Sequence, residues 1–312
     1  MARLYFVPVL LALTLQAQPD HLPAINRPVF VSPEQASSWL HPNEPVLVVE
    51  QGGEARAYPR QILVWHELVN DQIAGLPIVV SYCPLGDSAV VSDRCTRYDR
   101  RTGTRWQQVA GEGVAATLTG GKLRRIPSQT VSFETFSRAF PAGRVLSRET
   151  GYRPDYEQNP DARQEPLERL VAIHSAGKRR AYPFSLFQRR GVVEERLGKQ
   201  RFVIFFDGAV GAAGVFSPEL EGKRLSLRRK DGRIVDKETG STWNLFGIAT
   251  AGLLAGKRLA PVDHGVAFAF AWLGFHPETQ VVGDSSRAAD VRHKAPEGMY
   301  GRRDALALQP WP

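Results

Sequence analysis

Arg56-Ala57-Tyr58-Pro59 and Arg180-Ala181-Tyr182-Pro183 are one four-residue phrase written twice in the chain. After each copy comes an apolar run of strand-like composition, Ile78 to Tyr82 in the first case and Phe202 to Phe206 in the second. A threonine-glycine turn and a tryptophan follow: Asp99-Arg100-Arg101-Thr102-Gly103-Thr104-Arg105-Trp106, then Asp236-Lys237-Glu238-Thr239-Gly240-Ser241-Thr242-Trp243. Further on stand Gly121-Lys122-Leu123 and Gly256-Lys257-Arg258-Leu259. The copies close with Phe136, Pro141 and Val145-Leu146, and with Trp272, Pro277 and Val281-Val282. Matching landmarks in one order are the mark of a duplicated unit. The expected halves are residues 44–150 and 168–283, packed on each other in one globular unit.

The apolar runs are short, rich in Val, Ile, Phe and Tyr, and punctuated by Gly, Pro and Asp, which favours strands over long helices. Pro45 to Glu50, Leu76 to Tyr82, Ser88 to Val91, Leu170 to His174 and Arg201 to Phe206 read as strands. Brief helical periodicity occurs around Pro33 to Leu40, Arg60 to Val69 and Val131 to Phe140. The fold class is therefore mainly β, an α+β arrangement with few short helices, in two related β-rich halves. Residues 18–43 read as a lead-in, 151–167 as the connection between halves and 284–312 as a loose tail.

The composition, 43% hydrophobic and 23% charged over 312 residues, excludes wholesale disorder and collagen. The net charge of +8 comes from 40 Lys plus Arg against 32 Asp plus Glu, so acidic partners are permitted. The cations fall in scattered groups such as Arg124-Arg125, Lys178-Arg179-Arg180 and Arg228-Arg229-Lys230, with no recognisable nucleic-acid-reading motif.

Met1-Ala2-Arg3, the apolar run Leu4 to Leu15 and then Gln16-Ala17-Gln18 have the order of a secretory signal peptide over residues 1–17, cut after Ala17. The expected mature protein is exported, periplasmic or extracellular, without a transmembrane segment, since no other stretch approaches the ~20 apolar residues of a membrane helix. Two cysteines, Cys83 and Cys95, leave a disulfide between them open in an oxidising compartment and make no structural zinc site.

The densest polar cluster is Trp65-His66-Glu67-Leu68-Val69-Asn70-Asp71, followed by Cys83-Pro84-Leu85-Gly86-Asp87-Ser88. Together with Tyr58-Pro59, Ile62-Leu63, Gly75, Pro77, Tyr82, Asp99-Arg100, Thr102-Gly103, Trp106, Gly111, Thr239-Gly240-Ser241, Trp243 and Trp272, these residues resemble the bacterial and archaeal domain of unknown function 3179 over about residues 44–283. The resemblance implies proteins that are often exported and have no established reaction. Members commonly carry a second cysteine where this chain has Gly86, and a longer segment, with another strand, between the positions of Arg94 and Asp99. A dithiol cycle or two-thiolate metal site needs both sulfurs.

Two readings stand for each candidate. His66 is a structural histidine or a base; Cys83 is a buried inert thiol or a nucleophile; Asn70-Asp71 form a turn or orient the imidazole. Trp106 and Trp243 read as core anchors, and Asp99 and Asp236 as caps of the Thr-Gly turns or a cation-holding pair. The second copy lacks Cys and His at the places of Cys83 and His66, so chemistry belongs to the first half. The expected site is catalytic, with Cys83, His66, Asn70 and Asp71, or metal-binding, with Cys83 and His66 holding a soft transition-metal ion. The alternative is a non-catalytic envelope module that binds an acidic polymer or an envelope protein through a basic surface, with Arg124-Arg125 and Arg228-Arg229-Lys230 on one face.

Overall fold

The computed structural model describes residues 24–84, 87–92, 98–99, 104–107, 112–115, 120–122, 124–151, 168–208, 211–276 and 278–283. The signal-like segment, Cys95, most of the Arg94 to Asp99 segment, the connection at 152–167 and the tail from 284 lie outside them, as do the side chains of Asp99 and Trp106.

The first half opens with strand β1 (Phe30–Val31) and helix α1 (Pro33–Ala36). Ser32 accepts the Gln35 N–H while the Gln35 side chain accepts the Ser32 N–H, a capping box with proline in the first turn. Strands β2 (Pro45–Gln51) and β3 (Glu54–Pro59) form a hairpin. Helix α2 (Arg60–His66) and an antiparallel meander, β4 (Leu68–Ile73), β5 (Leu76–Cys83) and β6 (Ser88–Ser92), follow. A second small sheet holds β7 (Tyr98–Asp99), β8 (Thr104–Gln107) and β9 (Glu112–Ala115). The chain then returns: β10 (Ser128–Ser132) pairs with β2, helix α3 (Phe133–Ala139) crosses over, and β11 (Arg144–Leu146) lies parallel to β3.

The second half repeats this course. It has β12 (Arg169–Ser175), β13 (Lys178–Pro183), helix α4 (Phe184–Arg190) and the meander β14 (Val192–Leu197), β15 (Gln200–Asp207) and β16 (Ala212–Phe216). An extra hairpin, β17 (Glu219–Leu220) and β18 (Lys223–Arg224), precedes a four-stranded sheet of β19 (Leu227–Lys230), β20 (Arg233–Asp236), β21 (Thr242–Trp243) and β22 (Ala249–Ala251). Strand β23 (His264–Phe268), helix α5 (Ala269–Phe275) and β24 (Gln280–Val281) close it.

Equivalence extends to register. Cys83 faces Ser88 across β5 and β6 as Asp207 faces Ala212 across β15 and β16. Tyr98 faces Arg105 as Val235 faces Thr242, and the next pairings, β8 with β9 and β21 with β22, both slip at the tryptophan that follows. Arg144 lies beside Arg56 as Gln280 lies beside Arg180. Glu44 Oε1 accepts the Gln61 N–H at 3.1 Å and Glu168 Oε1 the Ser185 N–H at 3.1 Å, so an outside carboxylate meets the first turn of α2 and of α4 alike.

The central strands are apolar without alternation because both faces are covered. On β2, Val46 and Val48 face a core shared with Phe205, Phe216 and Trp243 of the other half; Leu47 and Val49 face a core with Tyr58, Ile62 and Val80. The halves pack reciprocally, β10 on β16 and β23 on β6, and a pseudo-twofold axis passes where β10 meets β23. Arg258 closes the seam with a forked ion pair to Glu50.

The helices are shorter than their sequence periodicity. Helix α2 stops at His66 because Glu67 turns left-handed (φ 55°), and Leu68-Val69 already belong to β4. Asn70 and Asp71 lie in β4, correcting the turn reading; the turn is Ala74-Gly75, both with positive φ, the mirror-image pair that suits a two-residue hairpin. Among the described residues no helix is long and apolar enough to cross a membrane.

Candidate functional site

Asp87 sits in the turn between β5 and β6 with φ 43°, its N–H directed to the Pro84 carbonyl at 3.3 Å. Its carboxylate collects three partners. Tyr82 Oη donates to Oδ1 at 2.7 Å, Arg60 Nη1 stands 3.5 Å from Oδ1, and Arg169 Nη2 closes on Oδ2. Arg60 opens α2 in the first half and Arg169 opens β12 in the second, where its guanidinium lies over the ring of its register partner Phe268.

These side chains line a pocket of about 40 Å³, whose other walls include Ser128 to Thr130 of β10 and His264 to Val266 of β23. It lies on the pseudo-twofold axis, with space for roughly three water molecules. Burial, and next the Asp87 charge, push the Tyr82 hydroxyl far above the ordinary tyrosine range, so it stays neutral. Burial likewise pushes His264 down, which keeps its imidazole neutral. His264 Nδ1 lies 2.9 Å from the Val262 carbonyl, while Nε2 is closed off from solvent and has no hydrogen-bond partner among the described residues. Among the described residues lining the pocket, two guanidinium charges against one carboxylate leave one positive charge over.

Among the described residues this polar set occurs once. In the twofold-related positions Phe184 replaces Arg60, Phe206 replaces Tyr82, Gly211 replaces Asp87 and Pro45 replaces Arg169. Gly211 keeps the left-handed backbone (φ 60°), and a Cβ there would stand 3.6 Å from Arg169 Nη1. Neither Arg60 nor Arg169 is among the candidate residues that the sequence offers. The available signal was the break in the repeat, where Arg60 follows one Tyr-Pro and Phe184 the other.

The residues singled out from sequence divide. Cys83 lies half-buried at the end of β5, and the Tyr82 N–H bonds the Glu67 carbonyl at 2.8 Å, so the end of α2, with buried His66, runs beside that strand end. Asp207, the equivalent of Cys83, lines a cleft of about 500 Å³ with Arg229 and Trp243. Asn70 and Asp71 are engaged elsewhere: Asn70 Nδ2 donates to Asn26 Oδ1 at 2.8 Å, and the Asp71 carboxylate takes Arg56, the Tyr58 hydroxyl and the Gln72 N–H. Among the described residues no three His, Cys, Asp or Glu side chains gather into a metal-holding group. Buried Asp236 accepts the Thr239 N–H at 2.6 Å and Trp243 Nε1 at 3.0 Å, so it caps its turn and anchors the indole. Arg228, Arg229 and Lys230 are exposed on β19, and Arg125 bridges to Ser92 of β6.

A family model described as Protein of unknown function (DUF3179) matches residues 19–97 and 91–279, most of the chain. The chain belongs to this family. No curated protein and no solved structure matches it. The two DUF3179 segments meet where the halves differ most. Equivalent positions are 124 apart from Tyr58 and Tyr182 to Ser92 and Phe216, but 137 apart at Tyr98 and Val235, so the first half is thirteen residues shorter there, and 136 apart at Arg144 and Gln280. The second half fills that interval with β17, β18 and β19.

Proposed function

We propose that the protein is an exported binding module whose ligand is a small anion, seated between the halves against Arg60 and Arg169. The observation that supports this most is the convergence of one guanidinium from each half on a single pocket in which one carboxylate, Asp87, is set against two cations. Arginine forks suit carboxylate and oxyanion geometry, and the partly enclosed setting strengthens the attraction over that in water. Export is supported by the signal-like order of residues 1–17; the mature protein recovered from an exporting host should begin at Gln18.

Titration calorimetry at low ionic strength with formate, bicarbonate and phosphate tests the binding reading. Arg60→Gln and Arg169→Gln should each weaken binding by about tenfold or more, the loss of a charge-assisted hydrogen bond. Binding unchanged in both variants would contradict it.

The bond from the Tyr82 N–H to the Glu67 carbonyl, which sets the end of α2 beside the end of β5, favours a second reading, in which His66 polarises the Cys83 thiol for transfer chemistry or a soft metal ion. Rapid alkylation of Cys83 at neutral pH that slows in His66→Gln would support it, and metal analysis beside Cys83→Ser separates its two forms. A slow thiol indifferent to His66 would remove it.

A further inference from the structure

We infer that the anion this pocket selects is the monoanion of an oxyacid that still carries a proton, the chemistry of dihydrogen phosphate or bicarbonate. The inference rests on the anion-binding reading above and narrows it.

The position of the Asp87 carboxylate is the reason. A carboxylate only accepts hydrogen bonds. Its Oδ1 already takes the Tyr82 hydroxyl and faces Arg60, whereas Oδ2, among the described residues, meets Arg169 alone and keeps a lone pair open. The carboxylate is also held in place, by the Tyr82 bond, by the Asp87 N–H to Pro84 and by a left-handed backbone at the turn. An incoming anion therefore meets two donors and, beside them, a fixed acceptor of its own sign. A fully deprotonated oxyanion turns lone pairs against Asp87; an oxyanion with an O–H donates to it. Among the described residues that line the pocket, Arg60 and Arg169 stand against Asp87, which leaves one positive charge to match a monoanion. The volume admits a ligand of a few heavy atoms. The related position of the second half, Gly211, carries no side chain that could read a proton.

Two pairs of ions isolate the proton from size and shape. Phosphate in mildly acid buffer and sulfate are both tetrahedral; bicarbonate in mildly alkaline buffer and nitrate are both trigonal monoanions, so the second pair also holds charge constant. Calorimetric titration of the full chain should show phosphate bound about a hundredfold more tightly than sulfate, and bicarbonate about tenfold more tightly than nitrate, because a site that leaves a polar group unpaired rejects the analogue. Asp87→Asn should bring both ratios to within about threefold by removing the repelling charge and supplying a donor. Asp87→Gly, which copies the Gly211 backbone, serves as a second variant if the amide variant melts early. Equal affinities for phosphate and sulfate, both lost in Arg169→Gln, would overturn the inference and leave the anion-binding reading standing. Binding of none of the four ions would overturn both. Discrimination that persists in both Asp87 variants would overturn the role of Asp87.

Discussion

Tyr58 donates its hydroxyl to Asp71 Oδ2 at 2.6 Å, a bond that the second copy of the fold does not reproduce. There Tyr182 is equally buried and Glu195 takes the place of Asp71, pairing with Arg180 at 3.3 Å as Asp71 pairs with Arg56. The Tyr182 hydroxyl, beside the Arg180 guanidinium, has no hydrogen-bond partner among the described residues. The duplication thus preserved the scaffold and let individual polar contacts diverge.

That divergence sets an unequal cost for one oxygen atom. Tyr58→Phe should destabilise by about 1–3 kcal/mol, because the Asp71 carboxylate loses a donor it cannot replace in its buried setting. Tyr182→Phe should be neutral or slightly stabilising, since it removes a hydroxyl already without a partner. Urea melts of the two variants would check this, and equal losses would contradict it.

Asp236 is 1% exposed and holds the Thr239 turn and the Trp243 indole at once. Asp236→Ala should cost about 3–5 kcal/mol, in the range for breaking a buried hydrogen-bonded network, and Asp236→Asn less, because one carbonyl oxygen remains to accept. Thermal melts followed by tryptophan fluorescence would report both the loss and its site. A loss below that of an ordinary surface substitution would show that the cap carries little.

Acidification has a predicted sign. Burial lowers the His264 pKa below its unfolded value near 6.5, so the unfolded chain binds the proton first. The stability this neutral histidine contributes is full above that unfolded value and is lost as pH falls from it toward the lower folded value. Exposed His174, lowered by burial and then by Arg179, acts with the same sign. Between pH 7 and about 5.5 the carboxylates held low, such as Glu278, are not yet protonated. Urea midpoints across that window should fall, and His264→Asn, whose amide can still donate to the Val262 carbonyl, should flatten the slope. An unchanged slope would remove His264 as its source.

The doubled scaffold was legible because its landmarks are residues with local duties: a proline that ends β3 or β13 and opens a helix, a Thr-Gly turn, a tryptophan behind an aspartate. Asn70-Asp71 misled because two adjacent polar residues resemble a turn, whereas Val69 and Ile73, both buried, show the strand's inward face. The pocket was not legible. Arg60 and Arg169 belong to different halves and meet only through the reciprocal packing of β10 on β16 and β23 on β6, which no local pattern encodes.

The most direct test of an anion held between the halves is crystallographic. Arsenate keeps the proton, shape and charge of phosphate and scatters anomalously. A crystal soaked in arsenate should show an anomalous peak within hydrogen-bond reach of the Arg60 and Arg169 guanidiniums, and an Arg169→Gln crystal treated in the same way should show none. Arsenate bound elsewhere on the molecule, with the pocket beside Asp87 holding only water, would contradict the account.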